Sequence, residues 1–248
     1  MHAAEQSVLI ASARARSIKR KNALTAMLCG AFPALLLSFY VPSRPGRWLI
    51  GLAIGLVWAN AFEYFYHRYL LHWTKTSFGQ GHLLHHSTVG TPQEAEHVTF
   101  GESPRYVALL FVINGLPVLA FELLGRVGIG AGILLGFTCY FVLVEEIHWR
   151  IHLGGWLPWG LCAARDYHIA HHDIPDGCFN VYLPLFDVLF GTFKPAVIPV
   201  ASQSSRRTVS RPLKPRIVTW LFEEIFLYIL LAWISLIVRY YSQPSGKA

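Results

Sequence analysis

Charge is what this sequence has least of. Asp, Glu, Lys and Arg make up only 14% of its 248 residues, against roughly 25% in a soluble domain, which excludes an ordinary cytosolic globule. Cysteine is scarce too. Cys29, Cys139, Cys162 and Cys178 form no CxxC pair, and the first two sit inside apolar stretches, so neither a disulfide framework nor a cysteine-based metal site is expected. Acidic residues number 14 against 21 basic ones, for a net charge of +7. The Lys and Arg are scattered in short groups beside apolar segments, which points away from nucleic acid and toward a membrane. No small-residue cleavage site follows the first apolar run, so that run reads as an uncleaved span and not as a signal peptide.

Hydrophobic residues are abundant, at 54%, and they gather into stretches longer than core helices require. Apolar runs cover about 22–41, 48–66, 106–124 and 129–147. PSRPGR at 42–47 and GRVG at 125–128 supply Pro and Gly breakers for tight turns. The expected fold is therefore an all-α integral membrane protein with four transmembrane helices in two hairpins. A last apolar run at 217–238 contains Glu223 and Glu224, which favours a C-terminal helix in the interface or against the bundle. Three parts are expected: a basic N-terminus at 1–21, a membrane body at 22–216, and the C-terminal helix and tail at 217–248. Arg14, Arg16, Lys19, Arg20 and Lys21 precede the first span and place its start on the cytoplasmic side. Two hairpins then return the polar segments 67–104 and 148–216 to that same face as a histidine-rich cap.

Ten of the 12 histidines fall into four clusters: His67 and His72; His82, His85 and His86; His148 and His152; His168, His171 and His172. Spacings of three and four put side chains on one helical face, so each HxxHH is expected to present three nitrogens together. His67 and His72 are roughly 140° apart on an ideal helix and need a bend or frayed end to converge. A lone histidine is usually a hydrogen-bonded core or interface residue; ten in spaced groups are not. Imidazole suits Fe, Zn, Cu and Ni, and ten ligands exceed the four of a closed zinc site, so two ions sharing them is the economical arrangement. A metal transporter is the rival reading, but these clusters lie at span ends and in polar segments instead of mid-span. His97 stands outside the pattern as a residue near substrate or supporting the ligands.

The pattern resembles the fatty acid hydroxylase and sterol desaturase superfamily, whose signature is a histidine pair followed by HxxHH groups at helix ends. Within it, EYFYHRYLLH at 63–72 is similar to the EYxxHRxLxH block of fatty acid 2-hydroxylases. The HxxxH pair about 16 residues before the last HxxHH matches as well, and FDVLFGT at 186–192 is similar to a WDxLFGT ending. The resemblance runs from about residue 50 to 195. The insert TVGTPQEAEHVTFGE at 88–102 does not follow the family pattern, and Asn180 stands where Gly is common. Asn180 is carried forward as a further candidate near the substrate or the ligands.

The resemblance implies an O₂-dependent lipid hydroxylase acting on an acyl chain near its polar end, with a desaturase as the nearest alternative. It also implies a separate electron-donor protein, since relatives often carry a haem-binding redox domain for which this chain has no room. Attack on an unactivated C–H bond requires a metal that binds and reduces O₂. Iron is expected for activity, while zinc would fill the same ligands without changing oxidation state. Glu63, Glu145, Asp166 and Asp187 are the carboxylates expected to orient the site; Glu63 lies four residues before His67 and Glu145 three before His148.

Overall fold

A computed structural model describes residues 3–194 apart from Pro158 and Pro175; the expected C-terminal helix at 217–248 lies outside the described residues. Among the described residues the chain is helical, with no strand. The first helix runs as α1 (Ala3–Ala26), a widened π turn at Met27–Ala31, and α2 (Phe32–Tyr40). The π turn precedes Pro33, which cannot donate to the carbonyl four residues back and whose ring would strike it; the Phe32 amide reaches Met27 instead. Then come α3 (Pro45–Phe65), a second π turn at Tyr66–Leu71, α4 (Ser77–Thr88), the short α5 (Glu94–His97), α6 (Pro104–Gly125), α7 (Gly130–Leu153), α8 (Cys162–Asp173) and α9 (Leu185–Leu189).

Four helical stretches are long and apolar enough to cross a membrane: Leu9–Tyr40, Pro45–Leu71, Pro104–Gly125 and Gly130–Leu153. All four expected spans are present, and each is longer than its apolar window. The extensions matter at the polar end. His67, His148 and His152 belong to the spans themselves and not to following loops. The basic stretch 14–21 is also helical, because it finds partners: Lys19 binds Glu146 at 2.5 Å and lies 4.9 Å over the Trp149 ring, and the Asn22 amide donates to Glu145 at 3.2 Å.

The centre of the bundle is α7, 72% of whose most apolar window is buried. It meets α3 through glycines on both helices, in GLAIG at 51–55 and GILLG at 132–136. A Cβ on Gly55 would lie 2.3 Å from the Ile133 carbonyl oxygen, and one on Gly132 would lie 2.3 Å from that of Trp48. Small residues four apart allow backbones to approach this closely where lipid offers no hydrophobic drive between helices. The pattern is visible in the sequence as small-xxx-small on both partners. On the outer faces Leu28, Phe32, Ile50, Ile54, Ile113 and Leu116 are exposed, as bilayer-facing residues are.

The α6–α7 turn is fixed by a buried carboxylate. Arg126 adopts a left-handed conformation, and Glu122 accepts from the amides of Gly128, Ile129 and Gly130 at 2.6, 3.0 and 2.7 Å. These amides lead into and begin α7, where a helix has unpaired donors and favours negative charge. At the opposite end of the bundle the π turn, α4, α5, the end of α7 and α8 converge, and every clustered histidine lies there.

Candidate metal centre

The second π turn brings the first pair together. The His72 amide donates to the His67 carbonyl at 3.3 Å, an i→i+5 bond, and the two rings lie 5.2 Å apart. The required bend is thus a change of helical pitch, a device common at functional sites.

All ten histidines converge, but not as triples. One group is His67, His72, His82, His86 and His171; the other is His85, His148, His152 and His168. In each, one nitrogen per ring lies within 4.8 Å of all the others. Two nitrogens bound to one ion at about 2.1 Å lie at most about 4.2 Å apart, so little contraction is needed. Both HxxHH motifs therefore divide between groups, contrary to the expectation that each presents three nitrogens to one place. His82 and His86 sit one turn apart and face one group; His85, about 100° from His86 on the helix, faces the other. In α8, His171 joins the first group while His168 joins the second. His172 places its Nε2 3.2 Å from His152 Nε2, beside the second group.

Hydrogen bonds fix which ring nitrogen is free. His67 Nδ1 meets the Phe179 carbonyl, His148 Nδ1 the Val98 carbonyl at 2.7 Å, His171 Nδ1 the Gly177 carbonyl at 2.7 Å, and His152 Nδ1 the Glu94 carboxylate at 2.9 Å. A carbonyl can only accept, so the Nδ1 atoms facing one carry the proton, as does Nδ1 of His152 against its carboxylate; in a neutral ring Nε2 is then a bare lone pair. Those Nε2 atoms point at further imidazoles: His67 to His82 at 2.9 Å, His152 to His168 at 3.1 Å, His171 to His72 at 3.3 Å. Other ring nitrogens are buried with no hydrogen-bond partner, namely both of His85, Nε2 of His148, and Nδ1 of His168 and His172. Orphaned lone pairs facing one another at these separations are what a shared cation satisfies, and neutral nitrogen donors fit iron, zinc or copper.

Burial keeps the rings neutral. It lowers His86 to about 4 and His171 to about 3, and it holds His82, His85, His168 and His172 well below the ordinary imidazole value, with neighbouring imidazoles adding to the effect. The second group is wholly buried, whereas His72 and His86 leave the first partly open.

Of the carboxylates expected to orient the ligands, none touches a ring. Glu63 accepts from Tyr140 Oη at 2.6 Å, Asn180 Nδ2 at 2.8 Å and the Val181 amide at 2.8 Å. Asp187 accepts from the amides of Phe179 and Asn180 at 2.9 and 2.7 Å. Together they hold the 177–181 loop, whose carbonyls meet His67 and His171. Asn180 is thereby part of the loop's anchorage. Glu145 accepts from the amides of Phe100 and Gly101 at 3.2 and 2.6 Å, steadying the segment whose Val98 carbonyl meets His148. Asp166 is exposed on α8. A carboxylate that does reach a clustered ring is Glu94, at His152, in the insert that departs from the family pattern. The signal for it in the sequence is weak: the insert carries three glutamates, Glu94, Glu96 and Glu102, and nothing in their spacing singles out the one that reaches a ring.

His97 lines a small cavity of ≈ 20 Å³ with His82, His85, His148, Thr99 and Glu102, room for about one water. Glu102 was not singled out in the sequence. Its backbone is left-handed, its Oε1 is buried without a hydrogen-bond partner, and burial raises its carboxyl to about 7. A second cavity, apolar, lies within the bundle between Phe62, Tyr66, Leu110, Phe137 and Phe141, and Phe100 lines both.

Comparison with known proteins places this geometry. The family profile described as Fatty acid hydroxylase matches residues 52–192, more than half of the chain and every clustered histidine. No curated protein and no solved structure matches. The chain belongs to the fatty acid hydroxylase family, and with it come an oxidoreductase activity and a membrane setting.

Proposed function

We propose that this member of the fatty acid hydroxylase family is an O₂-dependent lipid hydroxylase with two metal ions, iron in the active form, acting on an acyl chain near its polar end. The proposed ligands are His67, His72, His82, His86 and His171 for one ion and His85, His148, His152, His168 and His172 for the other. The observation that carries this reading is the facing of unprotonated Nε2 atoms whose Nδ1 partners are committed to carbonyls and to Glu94. Ten imidazoles exceed what one ion of ordinary coordination accepts.

Bound iron would supply the activation of O₂ that no side chain provides. The chain's own residues do the rest. Glu63 and Asp187 hold the 177–181 loop, and Glu145 holds 98–101, so that backbone carbonyls fix the ring tautomers from both sides. The acyl chain enters from the bilayer while its headgroup stays at the interface, an arrangement that the histidines' position at the polar end of the spans favours. We assign residues 22–216 to this membrane body in two hairpins, 1–21 to a basic segment on the cytoplasmic face, and 217–248 to a membrane-associated C-terminal helix. The histidine cap then lies on the cytoplasmic face, where a separate electron-donor protein reaches it; nucleic acid has no part.

Incubation of the iron-loaded protein with membrane lipid, a reductant and ¹⁸O₂ tests the reading. The expected product carries one ¹⁸O on a carbon near the polar end. Loss of two mass units without label would identify a desaturase, label in the headgroup would move the substrate away from the acyl chain, and metal binding without O₂ consumption would leave a metal-binding protein.

A further inference from the structure

Ten neutral imidazoles bring no negative charge, so two divalent ions among them would remain uncompensated by their ligands. In a buried site that charge is costly unless an anion stands near. Four carboxylates near the histidines already have partners: Glu63, Glu145 and Asp187 take backbone and side-chain donors, and Glu94 takes His152 Nδ1 and the Gly90 amide at 2.9 Å. Glu102 differs from them. Its Oε1 is buried with no hydrogen-bond partner, and it lines the small cavity together with His82 of one group and His85 and His148 of the other.

Two further features hold it there. At φ 51° its backbone is in the left-handed region, which a non-glycine residue adopts at a cost and which recurs at functional sites. The carboxylate also rests against α4 at Gly81, beside His82, where a Cβ would lie 2.2 Å from Oε1; with glycine there the carboxylate keeps this position without being displaced.

We propose that Glu102 is the counter-charge of the metal centre, a carboxylate facing both histidine groups that tightens the binding of divalent cations and stabilises their more oxidised state. This rests on the reading that the histidines hold metal.

The test uses the full chain in detergent, stripped of metal, as wild type, Glu102→Gln and Glu102→Gly. Zinc is titrated against a chelator, and the midpoint potential is read on iron-loaded samples. Both variants should bind zinc about 10- to 100-fold more weakly, the range for lost supporting groups, and the iron potential should move positive. Glu102→Gly should melt no lower than wild type without metal, because glycine adopts positive φ freely. Unchanged zinc affinity and potential in a folded variant would overturn the proposal, and so would failure of Glu102→Gly to fold, which would make the carboxylate structural. A wild type that binds no zinc would instead sink the metal reading itself.

Discussion

The amide of His72 donates to the carbonyl of His67 across five residues, at 3.3 Å, and this one bond turns two histidines on different sides of an α-helix into neighbours. The two are unequal. His67 is fully buried, bonded to Phe179 and facing His82, whereas His72 is half-buried at the edge of its group. His72→Ala should therefore lose metal from the first group and keep it in the second, about one ion per chain by elemental analysis. His67→Ala should lose product formation altogether. Two ions retained by His72→Ala would remove that residue from the site.

Acid should destabilise the metal-free protein. In the unfolded chain each imidazole takes a proton near pH 6.5, whereas in the folded protein His86 waits until about 4 and His171 until about 3. Between those values the unfolded state holds more protons, so stability falls as pH drops from 6.5 toward 3 and changes little from these groups above 7. Thermal melts of the metal-free protein at pH 7 and pH 5 should show a lower midpoint at pH 5. A flat profile would refute the neutral, buried state of these rings.

Glu94 should matter more than its position in an atypical insert suggests. It fixes the His152 tautomer through Nδ1, so Glu94→Ala is expected to weaken metal binding about 10- to 100-fold. Asp166→Asn, an exposed change on α8, should leave it unaltered. A zinc titration of the two variants side by side checks both.

The α3–α7 crossing has no room for side chains. Gly55→Val drives a Cβ into the Ile133 carbonyl, and overpacking of this kind costs about 1–3 kcal/mol or more. Gly46→Ala, with nothing within 4 Å of its Cβ, should be neutral. Folded yield and melting temperature in detergent report the difference.

Sidedness can be read at Ser87, exposed at the end of α4. In a background without native cysteines, Ser87→Cys should resist an impermeant thiol reagent in intact cells and react after permeabilisation. Labelling in intact cells would put the histidines on the outer face.

Much of this was legible along the chain. The four spans follow from apolar length, and the histidine spacings mark where chemistry gathers, because both are local properties. What could not be read was which ring faces which neighbour. His85 and His86 are adjacent in sequence yet serve different groups, a division set by the packing of α7 and α8 around α4. Glu63 lies one turn from His67, a spacing that predicts direct support, but its partners Tyr140, Asn180 and Val181 are 77 to 118 residues away. Glu94 reaches His152 across 58 residues, a contact no short-range pattern announces.

The division of each HxxHH has a mechanical consequence. Because His82 and His86 lean one way from α4 and His85 another, and α8 repeats the arrangement with His171 against His168, the separation of the two nitrogen clusters is built into the girth of single helices. Two rungs of fixed width span the gap. Shifting loops and lipids pressing on the outer faces leave the spacing unchanged unless a helix itself unwinds. It behaves as a ruler cut into secondary structure, indifferent to how tightly the surrounding bundle is drawn.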